Sequence, residues 1–75
     1  MSINYTQADK IKKLRARAAE LGLTFKRQYS YINNQQAYFI EDRTTGKRLV
    51  ENLTISGAWD QHVEDDFLGW IAETK

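Results

Sequence analysis

The sequence predicts an α+β fold with the element order α-β-β-β-α, in which two helices pack on one face of a three-stranded antiparallel sheet. Apolar side chains recur at helical spacing near both ends of the chain, and they alternate with polar side chains in the middle. The 75 residues contain no proline and show no internal repeat or linker, so residues 1–75 are expected to form a single domain. The expected elements are a helix at about 7–21, strands at about 23–32, 37–42 and 47–53, and a helix at about 58–73.

The first helix has sequence signals at both ends. Thr6 is a favourable N-cap with Asp9 three residues later, in the position of a capping box, and Gly22 is a favourable stop. One apolar stripe follows helical spacing between them: Ile11, Leu14, Ala18 and Leu21. The opposite side carries three basic residues: Lys10, Lys13 and Arg17. The segment is therefore predicted to be an amphipathic helix with a basic outer face.

The central segment has the period-two alternation that is typical of β-strands. Residues 23–31 alternate between apolar and polar side chains, and Arg27 falls on the apolar side, which indicates a bulge or a sheet edge. After a polar turn and a second strand, residues 42–47 are expected to form a hairpin loop. Asp42 can bond the backbone ahead of it there, and Gly46 supplies a positive φ.

The second strand contains three consecutive large apolar residues, Tyr38, Phe39 and Ile40. Because successive side chains of a strand point to opposite faces, at least one of the three must point away from the helices. That side chain could mark a dimer contact or a ligand surface, or it could be a single solvated aromatic residue. The sequence leaves both alternatives open.

The last element follows a short connection that holds Ser56 and Gly57. The apolar residues beyond it are spaced for one face of a helix: Trp59, Val63, Phe67, Trp70 and Ile71. The two tryptophans are eleven residues apart and therefore almost in line along a continuous helix. Both are expected to lie in the core or in an interface.

The charge of the chain is divided between its two ends. The first thirty residues carry seven basic and two acidic side chains, a net charge of +5. The last twenty-five carry one basic and six acidic side chains, a net charge of −5, although the formal charge of the whole chain is only +1. Such a division indicates binding partners or self-association rather than catalysis.

The residue types favour a protein without catalytic chemistry. The chain has no cysteine and one histidine, His62, so disulfides, thiolate metal sites and His-rich metal sites are excluded. The run Thr45-Gly46-Lys47 lacks the upstream glycine of a phosphate-binding loop, and the acidic residues of the second helix match no calcium loop. We therefore expect a protein that is not an enzyme and that uses no metal or cofactor.

The sequence also predicts where the protein works. The polar residues 1–9 lack the apolar run of a signal peptide, and no apolar segment approaches membrane-spanning length. These features predict a cytoplasmic protein that does not associate with a membrane.

Two binding hypotheses follow from the charge pattern. The leading one is a regulatory or accessory protein that binds a protein partner through its charged faces, and that could also form a homodimer. The alternative is DNA or RNA binding, with Tyr29, Tyr31 and Phe39 stacking on bases if they face outward. The basic candidates for either partner are Lys10, Lys13, Arg17, Lys26, Arg43, Lys47 and Arg48. The acidic surface is expected at Asp60, Glu64, Asp65 and Asp66.

A resemblance accompanies these residue patterns. It rests on Leu14-Arg15, Ala18-Ala19, Gly22, Tyr38-x-Ile40, Asp42, Thr45, Val63 and Phe67-Leu68. With them the chain resembles short open reading frames of bacterial and phage genomes that have the order helix, three strands, helix. That resemblance implies the fold and no particular activity. Anti-CRISPR and other anti-defence proteins of phages are similarly small and charge-patterned, which implies an accessory role by analogy.

Double-stranded-RNA-binding domains share the same element order. Their second helix carries a lysine cluster, whereas the corresponding segment here carries Asp60, Glu64, Asp65 and Asp66. RNA binding of that type is therefore not expected.

Overall fold

The computed structural model describes residues 5–75. Six elements follow one another along the chain: α1 Gln7–Glu20, β1 Leu23–Ile32, β2 Gln35–Asp42, β3 Arg48–Leu53, α2 Ile55–Asp65 and α3 Phe67–Thr74. The strands form an antiparallel sheet in the order β1-β2-β3, which confirms the predicted α+β class. Residues 1–4, which belong to the predicted domain and to its polar N-terminal stretch, lie outside the described residues.

The ends of α1 are those that the sequence predicts. The Thr6 hydroxyl accepts a hydrogen bond from the Asp9 backbone N–H at 3.2 Å, and the Asp9 carboxylate accepts one from the Thr6 N–H at 3.4 Å. At the other end Gly22 has a φ of +72°, which only glycine adopts without strain. Leu21 is the C-cap, so the helix is one residue shorter than expected.

Both hairpin turns follow from their residues. Asn33 and Asn34 have φ values of 50° and 64°, as a two-residue hairpin turn requires, so β2 begins at Gln35 rather than at residue 37. In the next turn the Asp42 carboxylate accepts a hydrogen bond from the Thr44 N–H at 3.0 Å, and Gly46 has a φ of +73°. The predicted roles of Asp42 and Gly46 are confirmed.

The C-terminal segment differs from the single helix expected at 58–73, because it consists of two helices. The Thr54 side chain caps α2 by accepting a hydrogen bond from the Gly57 N–H at 3.2 Å. The helix therefore begins at Ile55 and includes Ser56 and Gly57, which were expected in the connection before it. Asp66 then separates α2 from α3 with φ 49° and ψ 56°. Aspartate is one of the few residues that tolerate this left-handed conformation, so the chain can turn there.

The core lies between one face of the sheet and the helices, as predicted. Phe25 of β1 is directly opposite Ile40 of β2, and the rings of Phe25 and Tyr38 stack with centroids 5.1 Å apart. All three helices contribute to the same cluster of buried side chains, which consists of Leu14, Ala18, Leu23, Phe25, Tyr38, Ile40, Ile55, Ala58 and Leu68. One continuous core therefore holds the domain together.

The face of the sheet away from the helices is covered by side chains of the same chain. Phe39 points to this face and is nevertheless only 8% exposed. The Arg48 guanidinium carbon lies 3.9 Å from the centroid of the Phe39 ring, and Lys26, directly opposite Phe39, forms an ion pair with Glu41 at 2.8 Å. The sequence required at least one large apolar residue on the far face and left open which one; the structure places Phe39 there, with its ring covered by Arg48.

Candidate binding surfaces

An apolar groove opens where the edge of the sheet meets the C-terminal helices. It has a volume of about 470 Å³ and lies between β3 and the α2–α3 segment. Five apolar side chains line it together with Gln61 and Asp65: Val50, Leu53, Phe67, Trp70 and Ile71. We refer to it as the β3–α3 groove. Because β3 is an edge strand, no further strand of residues 5–75 covers its outer side.

Trp70 is the exposed aromatic residue of this groove. Its side chain is 69% exposed, whereas Trp59 is half-buried, with its ring 5.2 Å from that of Tyr5 and 5.5 Å from that of His62. The break at Asp66 interrupts the helical phase, so the two tryptophans do not share the buried face that a continuous helix would give them. Val63, also expected on that face, is 65% exposed.

The four residues of the predicted acidic surface differ in their contacts. Asp60, Glu64 and Asp65 are exposed on α2, and none of them has an ion-pair partner among residues 5–75. Asp65 itself lines the groove. Asp66, the fourth predicted member, is bound by Arg17 and is not part of this free surface.

Arg17 and Asp66 form the contact between α1 and the junction of α2 with α3. The Arg17 Nε and Nη2 atoms donate to the two carboxylate oxygens of Asp66 at 3.1 and 2.7 Å, and Nη1 donates to Glu20 at 3.0 Å. These hydrogen bonds hold the pKa of Asp66 below its ordinary value, although partial desolvation opposes them. The same contacts raise the pKa of Arg17.

The three basic residues predicted for the outer face of α1 differ in their surroundings. Lys13 places its Nζ 5.1 Å from the centroid of the Tyr5 ring, which in turn packs on Trp59. Lys10 lines a polar cleft that also contains Ser56 of α2. Lys13 is exposed, Lys10 is half-buried, and Arg17 is bound to Asp66.

Two of the other predicted basic residues contact side chains of the same chain. Lys26 binds Glu41, and Arg48 covers Phe39 and lies 3.9 Å from Glu51. Arg43 and Lys47 are exposed in the β2–β3 loop and have no ion-pair partner within the described part of the chain.

The structure exposes two of the three aromatic residues that the sequence analysis considered for stacking on bases. Tyr29 is 98% exposed and Tyr31 is 73% exposed, and both line a cleft of about 300 Å³ together with Arg27 and Gln36. Tyr29 lies within an irregularity of β1, and Tyr31 lies at its end, because the register against β2 shifts between Arg27 and Tyr31. The sequence signal for it is Arg27, which interrupts the apolar side of the alternation.

His62, the one histidine of the sequence, lines neither the β3–α3 groove nor the cleft of Tyr29 and Tyr31. His62 is half-buried against Trp59, and its Nδ1 atom has no hydrogen-bond partner among residues 5–75 and lies 3.9 Å from Asp66 Oδ1. Within the same residues no three histidine or acidic side chains are grouped so that they could hold a metal ion. None of the helices described is both long and apolar enough to cross a membrane.

Comparison with known proteins gives no family: no family model, no curated protein and no solved structure matches the chain. A functional proposal for this protein therefore rests on its own surfaces.

Proposed function

We propose that the chain is a non-catalytic protein-binding domain, and that its β3–α3 groove receives an apolar segment of a partner protein with basic residues on its flanks. The observation that carries the proposal is the exposure of Trp70 beside four further apolar side chains. A tryptophan can bury roughly 150–250 Å², and tryptophan is among the residues most enriched at the energetic centres of protein interfaces.

The shape and composition of the groove support a protein segment as its occupant. Its volume of about 470 Å³ is large enough for several apolar side chains. Its walls come from β3, α2 and α3, and Leu53, Phe67 and Ile71 pack against the core. The groove is therefore supported by packed elements, which reduces the entropy lost on binding.

The acidic side chains of α2 indicate that the partner segment carries a positive charge. Asp65 lies in the groove wall, and Asp60 and Glu64 are exposed on the same helix without ion-pair partners among residues 5–75. Unpaired acidic side chains favour a segment that carries lysine or arginine next to its apolar residues, and they repel an acidic one. Such complementarity raises the association rate and fixes the orientation of the bound segment.

Titration with two synthetic peptides tests the proposal. Both have about 15 residues and the same apolar i, i+3, i+4, i+7 pattern, and they differ only in carrying lysine or glutamate on the flanks. We expect calorimetry to show binding of the lysine peptide alone. Trp70→Ala should weaken it by about tenfold or more, whereas Val63→Ala, which changes an exposed apolar residue outside the groove lining, should not.

Three outcomes would contradict the proposal. One is equal binding of both peptides, and another is equal binding by the Trp70→Ala variant. The third is a dimer of the protein alone that dissociates on the Trp70→Ala change, because the groove would then be occupied by a second copy of the chain. Light scattering of both proteins at high concentration measures the third outcome.

A further inference from the structure

We propose that a second surface, on the opposite edge of the sheet from the β3–α3 groove, binds single-stranded nucleic acid. This surface consists of Lys10, Arg27, Tyr29, Tyr31 and Gln36, and we call it the tyrosine strip. It joins two clefts of about 500 and 300 Å³, which share Gln36 as a lining residue. The inference does not depend on the proposed protein partner, because it involves different residues.

The exposure of the two tyrosines is produced by ordered β-structure. Between the paired positions Arg27–Tyr38 and Tyr31–Gln36, β1 contains more residues than β2, so the chain bulges. The Gln36 side-chain amide donates to the backbone carbonyls of Gln28 and Ser30 in this bulge, the latter at 3.2 Å. The bulge is thereby fixed, and Tyr29 and Tyr31 are presented to solvent at 98% and 73% exposure.

A contact with β3 anchors the same bulge from the other side. The Gln28 side chain donates to Asn52 Oδ1 at 2.9 Å and accepts from the Asn52 backbone N–H at 3.0 Å. Asn52 has a φ of 59°, so β3 is irregular at the matching position. The backbone that carries the tyrosines is thus fixed by hydrogen bonds that span all three strands, which suits a surface that must present two side chains side by side.

The charge of the strip fits a phosphate backbone. Among residues 5–75, no acidic side chain lines either cleft. Lys10 and Arg27 have no ion-pair partner among residues 5–75, in contrast to Lys26 and Arg17. Of α2, only Ile55 and Ser56 line the larger cleft of the strip, whereas Asp65 lines the other groove.

The side-chain types fit bases that are free of a duplex. Exposed aromatic rings stack on bases of any sequence, and cations beside them contact the phosphates. Asn34 and Gln35 add amide groups that can donate to and accept from the edges of bases. A duplex offers its bases only within grooves, whereas a single strand exposes the faces that Tyr29 and Tyr31 can stack on.

Fluorescence anisotropy with three labelled probes tests the inference: an oligo-dT strand, an oligo-U strand and a duplex of equal length. We expect at least one single strand to bind about tenfold more tightly than the duplex at 50 mM salt, and to bind more weakly at 200 mM. The two single-stranded probes show whether DNA or RNA is preferred. Binding of neither strand at 50 mM, or tighter binding of the duplex, would overturn the inference.

Matched variants assign the binding to the strip. Replacing Tyr29 and Tyr31 by alanine should weaken it by about tenfold or more, and replacing both by phenylalanine, which keeps the ring, should restore it. Arg27→Ala should weaken binding more than Lys47→Ala, which removes the same charge from the β2–β3 loop. Equal effects of the two charge changes would show attraction by net charge alone, and would contradict a defined site.

Trp70→Ala separates this inference from the proposed protein-binding function. The variant should leave single-strand binding within about twofold of the unchanged protein, because Trp70 lines the other groove. If Trp70→Ala abolished nucleic-acid binding while Tyr29 and Tyr31 could be replaced without effect, the tyrosine strip would not be the site.

Discussion

Arg17 and Asp66 are 49 residues apart in the chain, and their side chains meet through two hydrogen bonds of 3.1 and 2.7 Å. The contact ties α1 to the point at which α2 gives way to α3. Arg17 belongs to the predicted basic face and Asp66 to the predicted acidic face. The opposite charges of the two ends are thus used partly to hold the domain together, and only the remaining charged side chains are free to meet a partner.

Removing the Asp66 charge should destabilise the domain. Asp66→Asn keeps a residue that tolerates the left-handed conformation, but it weakens the two charge-assisted hydrogen bonds from Arg17. We expect the melting temperature to fall by several degrees. Asp65→Asn is the matched control, because Asp65 is exposed and has no ion-pair partner among residues 5–75. Equal melting temperatures of the two variants would argue against a stabilising role for the Arg17–Asp66 contact.

Stability should decline on acidification because two aspartates have lowered pKa values. The hydrogen bonds from Arg17 lower the pKa of Asp66, and the backbone N–H of Thr44 lowers that of Asp42. The folded state therefore binds fewer protons than the unfolded state near pH 4, so the stabilisation is complete above that pH and is lost as the pH falls through the folded pKa values.

Thermal unfolding between pH 7 and pH 2 measures this dependence. A protein with both Asp42→Asn and Asp66→Asn should start with a lower melting temperature and lose less of it on acidification. If the melting temperature of the double variant fell as steeply on acidification as that of the unchanged protein, other carboxylates would be responsible for the pH dependence.

Gly69 should resist replacement by alanine, although alanine normally favours helices by about 1 kcal/mol. A Cβ at this position would lie 2.8 Å from Asp66 Oδ2 and 3.8 Å from Arg17 Nη2. Gly69→Ala is therefore expected to lower the free energy of unfolding by about 1 kcal/mol or more, as overpacking does.

A double-mutant cycle identifies the cause of that loss. In an Asp66→Gly background the obstructing carboxylate is gone, and Gly69→Ala should become neutral or stabilising in urea denaturation. The same destabilisation in both backgrounds would mean that Asp66 is not what excludes a side chain at position 69.

Arg48 should stabilise the far face of the sheet by covering Phe39. With the guanidinium 3.9 Å from the ring centroid, its removal in Arg48→Ala is expected to cost about 0.5–1 kcal/mol and to expose the aromatic ring. Lys47→Ala, the change of a neighbouring exposed cation, should have little effect on urea denaturation. Equal stability of both variants would contradict this role of Arg48.

Local sequence signals account for the ends of α1 and for the second hairpin turn. Thr6, Asp9 and Gly22 bound α1 because a cap and a stop depend only on neighbouring backbone groups. Asp42 and Gly46 define the second hairpin for the same reason. The alternation of apolar residues likewise predicted the core positions Leu23 and Phe25 of β1. It placed Tyr29 and Tyr31 on the same side, although both are exposed, and it left open which residues of the second strand face the core.

The features that the sequence did not predict depend on residues distant in the chain. The break at Asp66 places a carboxylate against Arg17, 49 residues away, whereas the apolar spacing around it is that of one continuous helix. The burial of Phe39 depends on Arg48 from another strand. Both candidate surfaces follow from such features, since the break exposes Trp70 and the bulge at Gln28 exposes Tyr29.

The most direct test of the protein-binding proposal uses the two tryptophan indole N–H signals in a ¹⁵N-correlated NMR spectrum, because the chain contains only two tryptophans. Addition of the lysine-flanked peptide should shift the Trp70 indole signal and leave the half-buried Trp59 signal nearly unchanged, together with shifts of the backbone signals of Val50 and Leu53. Shifts confined to Trp59, or to residues of β1 and its turn, would contradict a partner site in the β3–α3 groove.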